Sequence, residues 1–147
     1  MSTIKVINAI HPTGSTNNIV LDNAGNATVG AALTATTTVN DSKGEVRSVP
    51  VNSQTGAYTV VAGDSGKFIS ITTGGVTVAT TTAFTTGQSV SIYNNSGSSQ
   101  TITQGASVTM YQVGTANTGN RTLAQRGLCT ILCVGTNTYV ITGGGVS

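Results

Sequence analysis

Charge is the first thing this sequence lacks. Only 7% of its 147 residues are Asp, Glu, Lys or Arg, against roughly 25% in an ordinary soluble domain. The six basic residues, Lys5, Lys43, Arg47, Lys67, Arg121 and Arg126, are spread along the chain and leave a net charge of +2. They form no basic stripe interleaved with aromatics, which argues against a nucleic-acid surface. The acids Asp22, Asp41, Glu45 and Asp64 are equally scattered, and no close pair marks a glycosidase, although distant residues can converge. No run of about 18 apolar residues exists, so no membrane-spanning helix is expected. The N-terminal MSTIKVINAIHPTG has neither a long apolar stretch nor a cleavage site, and no secretory signal is expected.

Chemistry-bearing residues are scarce too. There is no Trp, one His and two Cys. One His and two Cys cannot fill a four-ligand zinc site within one chain. Three copies of His11 on a threefold axis could hold a metal, but no second ligand stands beside it. Cys129 and Cys133 lie about 13 Å apart if the strand holding them is extended. A disulfide needs Cα atoms within about 7 Å, so both read as buried apolar thiols. Gly63-Asp64-Ser65-Gly66 has the look of a serine-nucleophile loop, yet it lacks a His base in a catalytic setting and reads better as a β-turn. The same glycines with Lys67 miss the spacing of a phosphate loop, and no helix follows. Asp22-Asn23-Ala24-Gly25-Asn26 offers oxygens but too few ligands for a calcium loop, and fits a hairpin turn.

What the sequence has in quantity is Thr, Ser, Asn, Gly and short apolar runs. Hydrophobic residues make up 37%, enough for a core. No sustained i, i+3, i+4, i+7 pattern appears. Strand signals recur instead, at residues 3–8, 18–22, 26–30, 57–61, 67–72, 75–80, 88–94, 100–104, 107–112, 127–134 and 138–143. QSVSIYN alternates cleanly, with Val90 and Ile92 on one face and Ser89, Ser91 and Tyr93 on the other. GLCTILCV is different. Cys129, Ile131 and Cys133 line one face, while Leu128, Leu132 and Val134 line the other. An apolar pair of faces places this strand centrally, or between a core and a subunit interface. Residues 135–138 read as a tight turn closing a terminal hairpin.

A change of composition near residue 50 divides the chain. Residues 1–47 form an N-terminal arm too poor in large apolar residues to hold a core alone, and stabilised by neighbouring chains. Residues 48–147 carry strands about every ten residues, as in a sandwich or jelly roll. The expected fold is all-β: an antiparallel β-sandwich or jelly-roll-like head with an extended β arm. Low charge leaves little repulsion between copies and favours packing of the chain against itself. Arg121 and Arg126 are expected in a loop, forked onto carbonyls or a carboxylate of this chain or a neighbour. Together with Cys129, Ile131 and Cys133 they are the candidates for locking that loop or a subunit contact. Tyr93, flanked by Asn94 and Asn95, is the candidate for glycan or partner contact.

The segments AYTVVAGDSGKFISITTGGVTV and GQSVSIYNNSGSSQTITQGASVTMYQVGTANTGNRTLAQRGLCTILCVGTNTYVITGGG resemble the C-terminal tip module of tailed-bacteriophage fibre proteins. Tyr58, Asp64, Gly66, Lys67, Val90, Ile92, Asn94, Ile102, Tyr139, Val140 and Ile141 carry that resemblance. MSTIKV and GSTNNIVLDNAGNATVG resemble the opening of marine and cyanobacterial phage tail-fibre-like proteins. The resemblance implies a homotrimeric, non-enzymatic virion surface protein with no cofactor. It implies attachment to other virion proteins through residues 1–47 and contact with host surface glycans. With almost no shaft, the chain suits a short fibre or fibre tip, or a capsid decoration protein whose arm grips the shell. A stand-alone carbohydrate-binding module is the reading from another class. Free thiols fit assembly in a bacterial cytoplasm before the particle leaves it.

Overall fold

The computed structural model describes residues 19–21, 27–29, 39–41, 44–46 and 48–147. The strand expected at 3–8, His11 and Arg47 lie outside them. The chain falls into two compact units, residues 1–38 and 39–147. In the first, β1 (Ile19–Leu21) and β2 (Ala27–Val29) form an antiparallel hairpin with Val20 opposite Thr28. The hairpin turn expected at residues 22–26 lies outside the described residues.

The second unit opens with a two-stranded hairpin, β3 (Asn40–Asp41) and β4 (Gly44–Glu45). The remaining strands are β5 (Val51–Gln54), β6 (Tyr58–Thr59), β7 (Phe68–Ile71), β8 (Val76–Val78), β9 (Ser89–Asn94), β10 (Gln100–Gln104), β11 (Thr109–Gln112), β12 (Arg121–Gly135) and β13 (Thr138–Val146). These nine form one sheet. The fold is all-β.

The pairing departs from the expected antiparallel scheme. β5, β7 and β9 stack in parallel, and so do β6, β8 and β10. The chain therefore alternates between two ladders and builds three stacked coils, β5–β6, β7–β8 and β9–β10. Within this sheet antiparallel strand pairing enters only with β12, which joins β9, β10 and β13, and β11 then pairs with β13 in parallel. The path runs β5-β7-β9-β12-β10-β8-β6, so its two ends are consecutive strands and the sheet is nearly closed. Local alternation cannot distinguish the two pairing senses, because a half-buried strand reads the same in either.

Each coil adds one layer to the interior. Ile69, Ile71, Val76 and Val78 fill the second layer, and Val90, Ile92 and Ile102 fill the third, all buried. Cys129, Ile131, Cys133, Tyr139 and Ile141 extend the same core. The first layer is polar. Asn52 Nδ2 donates to Asp64 Oδ1 at 2.8 Å and to the Tyr58 hydroxyl at 3.0 Å, and Tyr58 donates to Asp64 Oδ2 at 2.8 Å. Gln54 Nε2 donates to Asn52 Oδ1 at 2.6 Å. This hydrogen-bonded plate lids the apolar stack, as a capping repeat does in a solenoid.

β12 holds the two ladders together by bending. Its first residues pair with β10, and residues 128–132 pair with β9. Between them the register against β13 jumps from Leu123↔Val146 to Leu128↔Gly144. Arg126 takes φ +58° at this bulge, a left-handed conformation that costs a non-glycine residue about 1 kcal/mol. Glycine permits the close approach beside it: a Cβ on Gly143 would sit 2.2 Å from the Leu128 carbonyl oxygen. The Asn94 side chain reaches the backbone at this bulge. Its Nδ2 lies 3.0 Å from Leu123 O, 2.8 Å from Ala124 O and 2.8 Å from Ser98 O, and its Oδ1 accepts from Ser96 Oγ.

Replacing Asn94 by Ala should remove these hydrogen bonds and lower stability by about 3 kcal/mol. Asn94→Asp should be at least as damaging, because it points a carboxylate at carbonyl oxygens. Urea unfolding midpoints measure both. A loss below about 0.5 kcal/mol for the alanine variant would mean the bend is held elsewhere.

Candidate functional site

The motif that looks most like chemistry is structural. Asp64 closes the 3-10 turn Ala62–Asp64 and is 2% exposed. Besides Asn52 and Tyr58 it accepts from the Val61 N–H at 3.0 Å. Its oxygens are occupied in holding β5, β6 and the turn together. Burial, and then the hydrogen bond to Asp64, raises the Tyr58 pKa. Among the described residues no group of three or more His, Cys, Asp or Glu could hold a metal, and no helix is long and apolar enough to cross a membrane.

The arginines do not sit in a plain loop. Both belong to β12, whose strand starts at Arg121, six residues before the expected start at Gly127. An Arg-Thr-Leu-Ala-Gln-Arg run looks like a loop because the bend interrupts its alternation. Arg121 forks back onto the preceding segment, Nη1 to Asn120 O at 2.8 Å and Nη2 to Asn117 O at 2.9 Å. Gln104 helps to hold that segment, its Oε1 accepting from the Gly119 and Met110 N–H groups. Arg126 Nη1 donates to Asn95 Oδ1 at 2.6 Å. The structure thus joins Arg126 to Asn95 and leaves Arg121 apart from both.

Two groups of site candidates need correction. Asn94 is fully buried and its amide is spent on the bend, so it makes no outside contact. Cys129, Ile131 and Cys133 are each 1% exposed and belong to the core. They are free thiols and an isoleucine under the sheet, not surface groups. The Cys133 Sγ lies 3.3 Å from the carbonyl oxygens of both Phe84 and Gly135. Burial pushes the Cys129 thiol up to about 12.

The face left open is the other side of the same strand. Leu128, Leu132 and Val134 are 52%, 37% and 44% exposed. The ladder extends this apolar stripe sideways. Leu128 stands beside Tyr93, and Leu132 is flanked by Ser89 and Val140. Thr130, Ser91, Phe68 and Val51 form a continuous row across β12, β9, β7 and β5. Tyr111 lies beyond Val140 on β11. No Asp, Glu, Lys or Arg stands in these rows. An open groove of about 340 Å³ runs along the face, lined by Val49, Phe68, Ser91, Tyr93 and Leu128. Tyr93 therefore sits in an apolar groove rather than among polar glycan-binding groups. The sequence signal for this face was the second apolar side of GLCTILCV.

Compared with models of known protein families and with curated proteins, the chain matches none. The site is read from its own geometry.

The buried thiol and phenols set the alkaline behaviour. Cys129, Tyr58 and Tyr139 all have raised pKa values in the fold. Each must stay neutral in the folded state, so its contribution is complete below its unfolded pKa and is lost as pH rises towards the folded value. The unfolded thiol ionises first, from about pH 9. For that thiol, stability should then fall by about 1.4 kcal/mol per pH unit from about pH 9 towards pH 12, and the two raised tyrosines add to the loss above about pH 10. Chemical denaturation across pH 7–12 should show this limb, and Cys129→Val should remove its first part. A flat profile in the parent protein would refute it.

Proposed function

We propose that this chain is a non-enzymatic virion surface protein of a tailed bacteriophage, a short homotrimeric fibre or fibre tip. The observation that carries the self-assembly is the two-faced strand β12. One face seals the core with Cys129, Ile131 and Cys133, and the other holds Leu128, Leu132 and Val134 in water. Burying a leucine side chain is worth about 1.5–3 kcal/mol, and a contiguous apolar patch on a soluble protein usually marks an interface. A second copy is a suitable occupant because the rows of Leu128, Thr130 and Leu132 bear no charge to repel their own image, the Arg126 guanidinium being held by Asn95 at their end. The trimeric order and the virion location rest on the likeness to phage fibre-tip modules.

In this reading residues 1–47 attach to other virion proteins, the head contacts host surface glycans, and neither cofactor nor nucleic acid is bound. Asp64, whose loop has the look of a nucleophile's, is consumed by structure.

Light scattering on the purified chain should give three times the chain mass at micromolar concentration. Leu132→Asp should yield single chains that unfold with a midpoint close to that of a Leu132→Ser control. A stable one-chain mass for the parent protein would sink the assembly. Antibody gold-labelling of intact virions should mark the tail, and label spread over the head would reassign the chain to shell decoration.

A further inference from the structure

One cleft has a character opposite to that of the apolar face. It lies between residues 80–86, which lead from β8 to β9, and the 135–137 turn of the last hairpin, with a volume of about 430 Å³. Thr80, Thr85, Thr86, Thr136 and Asn137 line it together with Phe84. None of these residues carries a formal charge.

The polar side chains here are unspent. Elsewhere the buried and half-buried amides are tied down: Asn52, Asn94, Gln100 and Gln104 each make two or more side-chain hydrogen bonds. Among the described residues, the side-chain oxygens of Thr80, Thr85, Thr86 and Thr136 and the Asn137 carboxamide make none. The cleft is also fixed in shape. Cys133 Sγ lies 3.3 Å from the carbonyl oxygens of both walls, at Phe84 and Gly135. Beneath it the Tyr139 ring lies 6.5 Å from that of Phe84.

We propose that this cleft binds a short neutral saccharide. Hydroxyls donate and accept, and a carboxamide does both through separate atoms, which matches the mixed requirement of sugar hydroxyls. The lack of a cation disfavours phosphorylated, sialylated or uronic sugars, which need charge-assisted partners. The volume lies within the range of small-ligand sites. This names the receptor chemistry for the host-contacting role proposed above and rests on that reading for its biological meaning, whereas the binding itself is a property of the purified chain.

Asn137 supplies a clean variant. It adopts φ +50°, a conformation that glycine accepts readily, so Asn137→Gly deletes the carboxamide without straining the turn. Thr86→Val removes one hydroxyl at constant shape. Saturation-transfer NMR and calorimetry with neutral hexose and N-acetylhexosamine oligosaccharides should detect millimolar or tighter binding. The double variant should weaken it by about tenfold or more, at an unchanged melting temperature. Raising salt from about 0.05 to 0.5 M should change the affinity less than twofold, because no ion pair contributes. Failure to bind any neutral oligosaccharide, binding unaffected by the double variant, or a salt-sensitive preference for acidic sugars would each overturn the proposal. A trimer that binds no sugar would sink the cleft alone, and a sugar-binding single chain would sink the assembly alone.

Discussion

A single buried carboxamide reconciles two ladders that would otherwise have no common strand. β12 can belong to both only by bending, and at the bend its register breaks, so backbone groups there need side-chain partners. Leaving such groups unpaired costs more than a good hydrogen bond returns. Asn94 satisfies two carbonyls of the bend and one of the adjacent turn with one amide group. Glycines at 127 and 143 give the room, and Arg126 accepts the left-handed geometry. Without this junction the three parallel coils and the terminal hairpin would be separate sheets with open edges.

The layers of the stack divide their tasks. The middle and last coils hold the aliphatic core, and the first coil ends it with Asn52, Tyr58 and Asp64. β12 then presents a second apolar surface on its outer side. In a chain with so few charges, solubility depends on hydroxyls and amides, and these are distributed unevenly. They are consumed inside the fold at the plate and the bend, interspersed with valines and leucines on the sheet face, and left unoccupied around the Phe84 cleft. The contrast between the last two surfaces is the basis of the proposed division between self-recognition and ligand recognition.

Much of this was legible in the residues. Alternation in QSVSIYN located the inward Val90 and Ile92, and the two apolar sides of GLCTILCV identified a strand with one side in the core and an apolar side exposed. The turn reading of Gly63-Asp64-Ser65-Gly66 agrees with the 3-10 turn, although the carboxylate's ties to Asn52 and Tyr58 join residues six and twelve positions away and leave no local trace. Parallel pairing was not legible, since it depends on which strands meet and not on how each alternates. β5 was missed because Val-Asn-Ser-Gln places amides where a core strand would carry aliphatics, a consequence of its place at the end of the stack. Asn94 looked like a surface group because Asn is usually exposed, and only the bend in a strand nearly thirty residues later explains its burial. The Phe84 cleft joins two loops with no motif of their own.

The polar plate of the first coil also bounds how proteins of this design can change length. A further coil laid on that end would cover Asp64 and its partners with aliphatic side chains, and would need the whole cluster rewritten before it could pack. At the other end β12 crosses both ladders and closes them. New coils can enter only between these two terminators, as insertions that repeat the β7–β8 layer. The height of the stack is therefore set internally, by how many aliphatic layers lie between a lid and a clasp, and is insulated from whatever is joined to the chain on either side.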